Sequence, residues 1–284
     1  MSDASEIWLV INRASGSYSE QAVIDLREAF AAAGLPLARL VALPDQPAPA
    51  RAALEAHGVD ILAVYTGDGT VNGVVTGAYG WSGRILVLPG GTQNLLAKSL
   101  HGDASAPEIV AALGERALQR VSRHAIATSK GDGLCEVVAG PGAHWSDVRE
   151  AMREGDVGGV AATLGEAIGH SAGGASVQIV APAVGKPEGY PAVRIFTEGA
   201  ALAIEGYGPE SLAEYAQQGL ALLRRDFREG PHDELGRHPA VVCRSAEPIE
   251  LMIDGERATG ERVERFTVAR LGVTLLAHPD RERG

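Results

Sequence analysis

The feature that most constrains this chain occurs three times in its N-terminal third: a short apolar run followed at once by a turn rich in Gly, Ser, Thr or Asn. The turns are Asn12-Arg13-Ala14-Ser15-Gly16-Ser17, Thr66-Gly67-Asp68-Gly69-Thr70 and Pro89-Gly90-Gly91-Thr92-Gln93-Asn94. The runs before them, Ile7–Ile11, Ile61–Tyr65 and Ile85–Leu88, are short and continuously apolar, as strands covered on both faces are. Helical patterns alternate with them. Ser19 caps a helix through Ala33, with Val23, Leu26 and Phe30 on one face and Gly34 as its stop. Further helices are expected over Ala48–His57, Thr70–Tyr79 and Thr92–Leu100, and Pro107 occupies the first turn of one more. Strands alternating with helices predict a parallel α/β sheet, which gathers its strand ends, and hence its ligand site, on one side.

After Ser122 the texture changes to shorter strands, at His124–Thr128, Ser176–Ala181, Val193–Thr197, Ala240–Arg244, Ile249–Ile253, Val263–Ala269 and Val273–Ala277. Two helices are expected among them, near Trp145–Arg153 and Ser211–Arg228. The second carries Arg224, Arg225 and Arg228 at its C-terminal end and reads as a helix packed on strands, with its cations complementing the helix dipole. The expected architecture is thus an α/β domain over residues 1–122 and a mainly β domain over 123–284, with a frayed tail from Asp280. The net charge is −11, and both halves are acidic, which argues against nucleic acid as the main ligand. Two cysteines, Cys135 and Cys243, are too few for a disulfide framework. The N-terminus lacks a signal-peptide pattern, and the best apolar stretch, Leu35–Leu43, is broken by Pro36 and Arg39. A cytoplasmic protein without a transmembrane anchor is expected.

The turns suggest a chemistry. Glycines let backbone N–H groups approach an anion, and a helix N-terminus adds favourable partial charge. Any one such turn could be an ordinary capped strand-to-helix connection; three together suggest a phosphate-rich ligand. No Walker A pattern is present, and Gly67, Gly69 and Gly73 miss the dinucleotide fingerprint by one residue. Asp68 is the anomaly: a carboxylate between two phosphate-facing glycines repels the ligand unless a cation or a proton transfer gives it work. Mg²⁺ shared with substrate phosphates resolves that conflict, and phosphoryl transfer needs that arrangement. The eight histidines show no metal-ligand spacing.

The three turns, in this order and spacing, resemble the catalytic domain shared by diacylglycerol kinases, sphingosine kinases and bacterial lipid-kinase relatives, whose patterns read N-P-x-S-G, G-G-D-G-T and P-x-G-T-x-N. Ile253-Asp254-Gly255-Glu256 is similar to the family's late D-G-E motif. The resemblance implies ATP and Mg²⁺ between an α/β and a β-rich domain, and a lipid alcohol, diacylglycerol first, met at a membrane surface. By the same match Ser15, Gly16, Gly67, Gly69 and Thr70 contact phosphate, Asn72, Thr92 and Asn94 shape the nucleotide site, and Asn12 and Gly91 belong to the cofactor-binding set. Asp68 serves the metal and phosphate end. Asp254 is the implied general base with Glu256 in support, although the two aspartates could exchange roles, and Asp254-Gly255 by itself reads as a hairpin turn. Departures are Arg13 for the usual proline, Thr66 for the first glycine, Gly73 where many relatives carry Glu, and Leu95 where many carry Asp. The family's D-G-x-x-D stretch is matched only by Glu188-Gly189-Tyr190-Pro191-Ala192, without a second carboxylate, so no structural metal is expected there. Two other functions share the pattern. One is a non-catalytic nucleotide or lipid sensor. The other is an NAD kinase, whose Asn-Glu pair this chain lacks.

Overall fold

The computed structural model describes residues 6–15, 17–141, 175–208 and 232–279. The helices expected near 145–153 and 211–228, the tail from 280 and Gly16 lie outside the described residues. The chain forms two compact units, Met1–His124 with Arg270–Gly284, and Ala125–Ala269.

The first unit begins with β1 (Ile7–Asn12), α1 (Glu20–Ala32), β2 (Arg39–Leu43), α2 (Arg51–Ala56) and β3 (Ile61–Thr66). It continues with α3 (Asp68–Gly77), β4 (Arg84–Pro89), α4 (Leu95–His101), α5 (Ala106–Gly114) and β5 (Gln119–Val121). β1 pairs in parallel with β2 and β3, and β3 with β4. Both faces are covered, as the continuous apolar runs require. Ile7, Leu9 and Ile11 share one core with Val23, Leu26 and Phe30 of α1 and Ile109 and Val110 of α5. Trp8 and Val10, of opposite parity, are equally buried. The Ser19 hydroxyl caps α1 by accepting from the Ala22 N–H, and Gly34, at φ +70°, ends it. At the start of α5 the Glu108 carboxylate accepts the Ser105 N–H at 2.7 Å. Strand β2 is absent from the sequence reading: it is an edge strand with an exposed first residue, too short and mixed to signal period two.

The second unit contains β6 (His124–Thr128), β7 (Gly131–Gly133), β8 (Glu136–Ala139), β9 (Gln178–Ala181), β10 (Ala183–Val184) and β11 (Ala192–Glu198). After these come β12 (Ala201–Tyr207), β13 (Asp233–His238), β14 (Ala240–Arg244), β15 (Glu250–Ile253), β16 (Glu256–Thr259) and β17 (Val263–Arg270). They form two six-stranded sheets, ordered β10-β9-β14-β17-β6-β7 and β13-β12-β11-β8-β15-β16. The sheets share a core that includes Ile126, Val137, Ile179, Val193, Ile195, Leu202, Val241, Leu251 and Phe266. This is a mainly antiparallel β unit, as the sequence predicts.

The expected domain limits need correction at the C-terminus. The last strand, β18 (Thr274–Ala277), pairs in parallel with β4 and antiparallel with β5, completing the order β2-β1-β3-β4-β18-β5. Leu276 joins the first unit's core. Residues 270–284 therefore belong with residues 1–124. An apolar run such as Val273–Ala277 carries no information about which sheet it completes.

The same unit contains a histidine pair of buried His101 and half-buried His278. His101 and His278 face each other through their Nδ1 atoms at 3.0 Å. Burial, with the charge of His278 adding to it, pushes His101 down to about 4. The unfolded chain takes up this proton near pH 6.5 and the folded chain only near pH 4, so stability is lost as pH falls through that window. Between pH 7.5 and 4.5 the loss from this site is roughly 2–3 kcal/mol. Urea unfolding of His101→Gln, followed by tryptophan fluorescence, is expected to lose less stability across that pH interval than the wild type by about this amount.

Candidate functional site

The sheet order places a topological switch point between β1 and β3, since the chain leaves β1 towards β2 on one side and returns to β3 on the other. Ligands of open α/β sheets bind beyond the C-terminal strand ends at such a point. The first two glycine turns follow β1 and β3, and the third follows β4.

The turns are bonded to one another. From the first turn, Asn12 Nδ2 donates to Thr70 Oγ1 at 2.9 Å, reaching the first turn of α3. The Asn12 Oδ1 accepts the Ala14 N–H at 2.9 Å, folding the turn on itself. Ser17 Oγ donates to the Gly90 carbonyl at 2.6 Å, tying the first turn to the third, and lies 2.9 Å from Ser15 Oγ. The second and third turns meet backbone to backbone: a Cβ added to Gly91 would lie 2.6 Å from Gly67 Cα, and one added to Gly90 would lie 2.6 Å from the Thr66 nitrogen. Glycine is required there by contact with backbone rather than by φ.

Asn94 stabilises the third turn from within. It adopts φ +55°, which Asn tolerates better than most residues. Its Oδ1 accepts the Gly91 N–H at 2.6 Å and its Nδ2 donates to the Gly91 carbonyl at 2.9 Å. Thr92 is exposed, and Asn72 and Gly91 are half-buried.

Helix α3 begins at Asp68 behind Gly67, and its first intrahelical bond is Val71 N–H to the Gly67 carbonyl. The earlier N–H groups of that turn, including Gly69 and Thr70, have no intrahelical acceptor and form the donor end an anion meets. Asp68 is half-buried in this first turn, where the helix dipole favours a carboxylate. Thr66 is buried, and its hydroxyl donates to the Gly67 carbonyl at 3.2 Å. The first unit thus brings together Asn12, Ser15, Gly67, Thr70, Gly91 and Asn94 around Asp68's turn, and Ser17 is a connecting residue that the sequence reading did not single out.

Asp254 and Glu256 belong to the second unit. Asp254 (φ +47°) and Gly255 (φ +92°) form the two-residue connection of the β15–β16 hairpin, in which Ile253 pairs with Glu256. The Asp254 carboxylate is 3% exposed and accepts three backbone N–H groups, from Leu134 at 2.6 Å, Cys135 at 2.9 Å and Glu136 at 3.0 Å. Glu256 is exposed. From Glu136 a polar chain runs on: its Oε2 accepts Arg194 Nε at 2.8 Å, and Arg194 Nη1 reaches Glu205 Oε2 at 3.0 Å. The Glu205 carboxylate also accepts the Tyr207 hydroxyl at 2.7 Å, and this with burial raises the Tyr207 phenol well above its ordinary range. A charge flanked by Val193 and Ile195 within one strand was the available sequence sign of this network.

The backbone contact between the second and third turns yields a paired prediction. Gly91→Ala is expected to force these turns apart and to lower stability by about 1–3 kcal/mol. Gly73→Ala, in the exposed interior of α3 with nothing within 4 Å of the added Cβ, is expected to raise it by roughly 0.5–1 kcal/mol. Urea denaturation of both variants checks the pair.

Residues 6–128 match the family model of the diacylglycerol kinase catalytic domain. Among solved structures, a diacylglycerol kinase from Bacillus anthracis str. Sterne aligns with a TM-score of 0.65 at 16% identity, covering 99% of both chains. A second structure from that strain, of a protein proposed to be a diacylglycerol kinase, aligns at 0.62 and 15% identity, again over 99% of each chain. At these identities the likeness is one of fold. No curated protein matches the chain. The glycine turns, the switch point and α3 all fall within the residues that match the diacylglycerol kinase catalytic-domain model.

Proposed function

We propose that the protein transfers the γ-phosphate of ATP to a lipid hydroxyl, with a diacylglycerol-like acceptor, using Mg²⁺. One observation carries this reading. Three glycine turns at the C-terminal ends of parallel strands are pinned together by the Asn12–Thr70 and Ser17–Gly90 bonds and the Gly67–Gly91 approach, with the Asp68 carboxylate on the helix turn they surround. Backbone packed that closely, with first-turn N–H groups that no carbonyl of the helix accepts, suits a triphosphate. In this reading Ser15, Gly16, Gly67, Gly69 and Thr70 hold phosphate oxygens, and Asn72, Gly91, Thr92 and Asn94 shape the nucleotide site.

A single carboxylate beside phosphate oxygens suits Mg²⁺, which keeps several waters and needs one or two protein carboxylates. Asp68 would hold it, and the ion supplies charge neutralisation when bound. The acceptor hydroxyl needs a group to orient it and receive its proton. Three of the roughly four lone-pair sites on the buried Asp254 carboxylate are already taken by backbone N–H groups. We therefore assign Asp254 to positioning the Leu134–Glu136 turn and the proton-receiving role to Asp68, the exchange of roles the sequence allowed. Glu256, exposed beside it, is assigned to the acceptor side. The lipid would be met at a membrane surface by a cytoplasmic, peripheral protein with no role for nucleic acid. Among the described residues no helix is long and apolar enough to cross a bilayer.

The test is transfer of labelled γ-phosphate from ATP·Mg²⁺ to diacylglycerol in mixed micelles. Wild type is expected to transfer, and Asp68→Asn to lose at least about 100-fold in kcat. Asp254→Asn, which keeps a carbonyl acceptor, is expected to lose less than about tenfold. Asp254→Ala is expected to lower unfolding stability by about 2–3 kcal/mol by stranding buried N–H groups. An Asp254→Asn variant as stable as wild type but as slow as Asp68→Asn would return the base role to Asp254. ATP binding without transfer to any lipid would leave the non-catalytic sensor, which the buried Thr66 in a family glycine position favours. Formation of NADP from NAD and ATP would turn the assignment to NAD kinase.

A further inference from the structure

At the other end of the first unit's sheet lies a cavity of about 470 Å³ lined by Trp81, Val121, Leu271 and Val273 and by the polar Arg120, Ser122, Arg270 and Thr274. It is formed where β4 and β18 begin and β5 ends, since Thr274 is in register with Arg84 and Leu275 with Val121. The glycine turns leave the C-terminal ends of these parallel strands, so the two places are separated by the length of the sheet.

The charge pattern of this cavity is unusual for a chain of net charge −11. Among the described residues no carboxylate lines it. Its walls are buried apolar side chains: Trp81, Val121, Leu271 and Val273 are each no more than 6% exposed. Both arginines are exposed. Arg270 uses one of its five N–H donors on Ser122 Oγ, at 3.1 Å. Arg120 is paired through its backbone with Leu276, and among the described residues its guanidinium has neither an ion pair nor a hydrogen bond. A third guanidinium, that of Arg51, lies against Gly80 on the cavity wall, and its carboxylate, Glu55, is held at 2.7 Å. The cavity's backbone is braced by Gly80 N–H to the Gly272 carbonyl and Leu271 N–H to the Arg123 carbonyl, both at 2.8 Å.

We propose that this cavity is a second anion site, taking a phosphate group that carries an apolar or neutral body. Arg120 and Arg270 clamp the phosphate, Ser122 adds a hydroxyl, and the body rests on Trp81 and Val273. Guanidinium forks match phosphate oxygens in geometry and charge, and a cavity of this volume suits a small ligand. The group could come from a soluble phosphate ester or from a phospholipid headgroup. The inference is independent of the activity proposed at the glycine turns.

The test uses the full-length protein with two probes, sn-glycerol 3-phosphate by calorimetry and flotation with phosphatidylcholine vesicles with or without phosphatidylglycerol. Wild type is expected to bind at least one probe saturably. Arg120→Gln and Arg270→Gln are each expected to weaken that binding about tenfold and the double variant to abolish it. Arg27→Gln, which removes an exposed arginine elsewhere on the same unit, is expected to change it little. Binding of the soluble ester alone identifies a free phosphate ligand; binding of phosphatidylglycerol vesicles alone identifies a headgroup. Absence of saturable binding to both probes, or equal affinity in wild type and the double variant, would overturn the proposal.

Discussion

The contact on which the rest of the site depends is the approach of Gly91 to Gly67. Two turns that follow neighbouring parallel strands would normally diverge into their helices. Here they close until a single methyl group would meet a backbone atom at 2.6 Å. Side chains alone do not achieve this, because each would occupy the space that brings the backbones together. Once the turns are in contact, short bonds from Ser17 and Asn94 suffice to fix their shape. The result is a concave stretch of backbone made largely without side chains, and backbone N–H groups do not need to be desolvated from long flexible arms before they meet an anion. That is why glycine, serine and asparagine recur here in place of lysine.

Asp68 acquires its meaning within this frame. In the isolated protein its position at the start of α3 is favourable, since a carboxylate there complements the helix dipole. A polyanion entering the same donor end reverses that balance, because two negative groups then compete for one set of N–H dipoles. In the proposed reading a cation shared between them would relieve the competition, so metal dependence and phosphate binding would follow from one placement. Asp254 illustrates the opposite case: an acidic residue whose carboxylate is occupied with local structure. Its left-handed backbone and the glycine after it make the hairpin, and its oxygens gather the N–H groups of a distant turn.

Much of this was legible in the sequence, and the reasons for success and failure are physical. β1, β3 and β4 are covered on both faces, so they appear as continuous apolar runs that no other element imitates at that length. α1 announces both its ends, through Ser19 and Gly34. The motif positions of the glycine turns were readable because backbone approach excludes every other residue. β2 escaped notice as an edge strand, and β12 and β13 because glycine and charge break their alternation. The return of β18 to the first sheet was not readable, because pairing between segments distant along the chain leaves no local trace. The contacts of Asp254 are of the same kind: three donors more than a hundred residues away cannot be inferred from a hairpin pattern.

That return of the chain also explains how the first unit's sheet is finished. β4 would be an open edge if the N-terminal segment stood alone, with unpaired N–H and C=O groups exposed along its length. The strand that covers it, β18, arrives from the far end of the sequence and is in turn covered by the short β5. Closing the edge this way brings Arg270 and Ser122, residues from the two segments that lead between the units, within hydrogen-bonding distance. The opposite end of the sheet therefore acquires a cationic concavity as a by-product of completing the sheet. A chain that was merely sealing an edge would gain by placing a carboxylate among those arginines, and among the described residues the lining contains none.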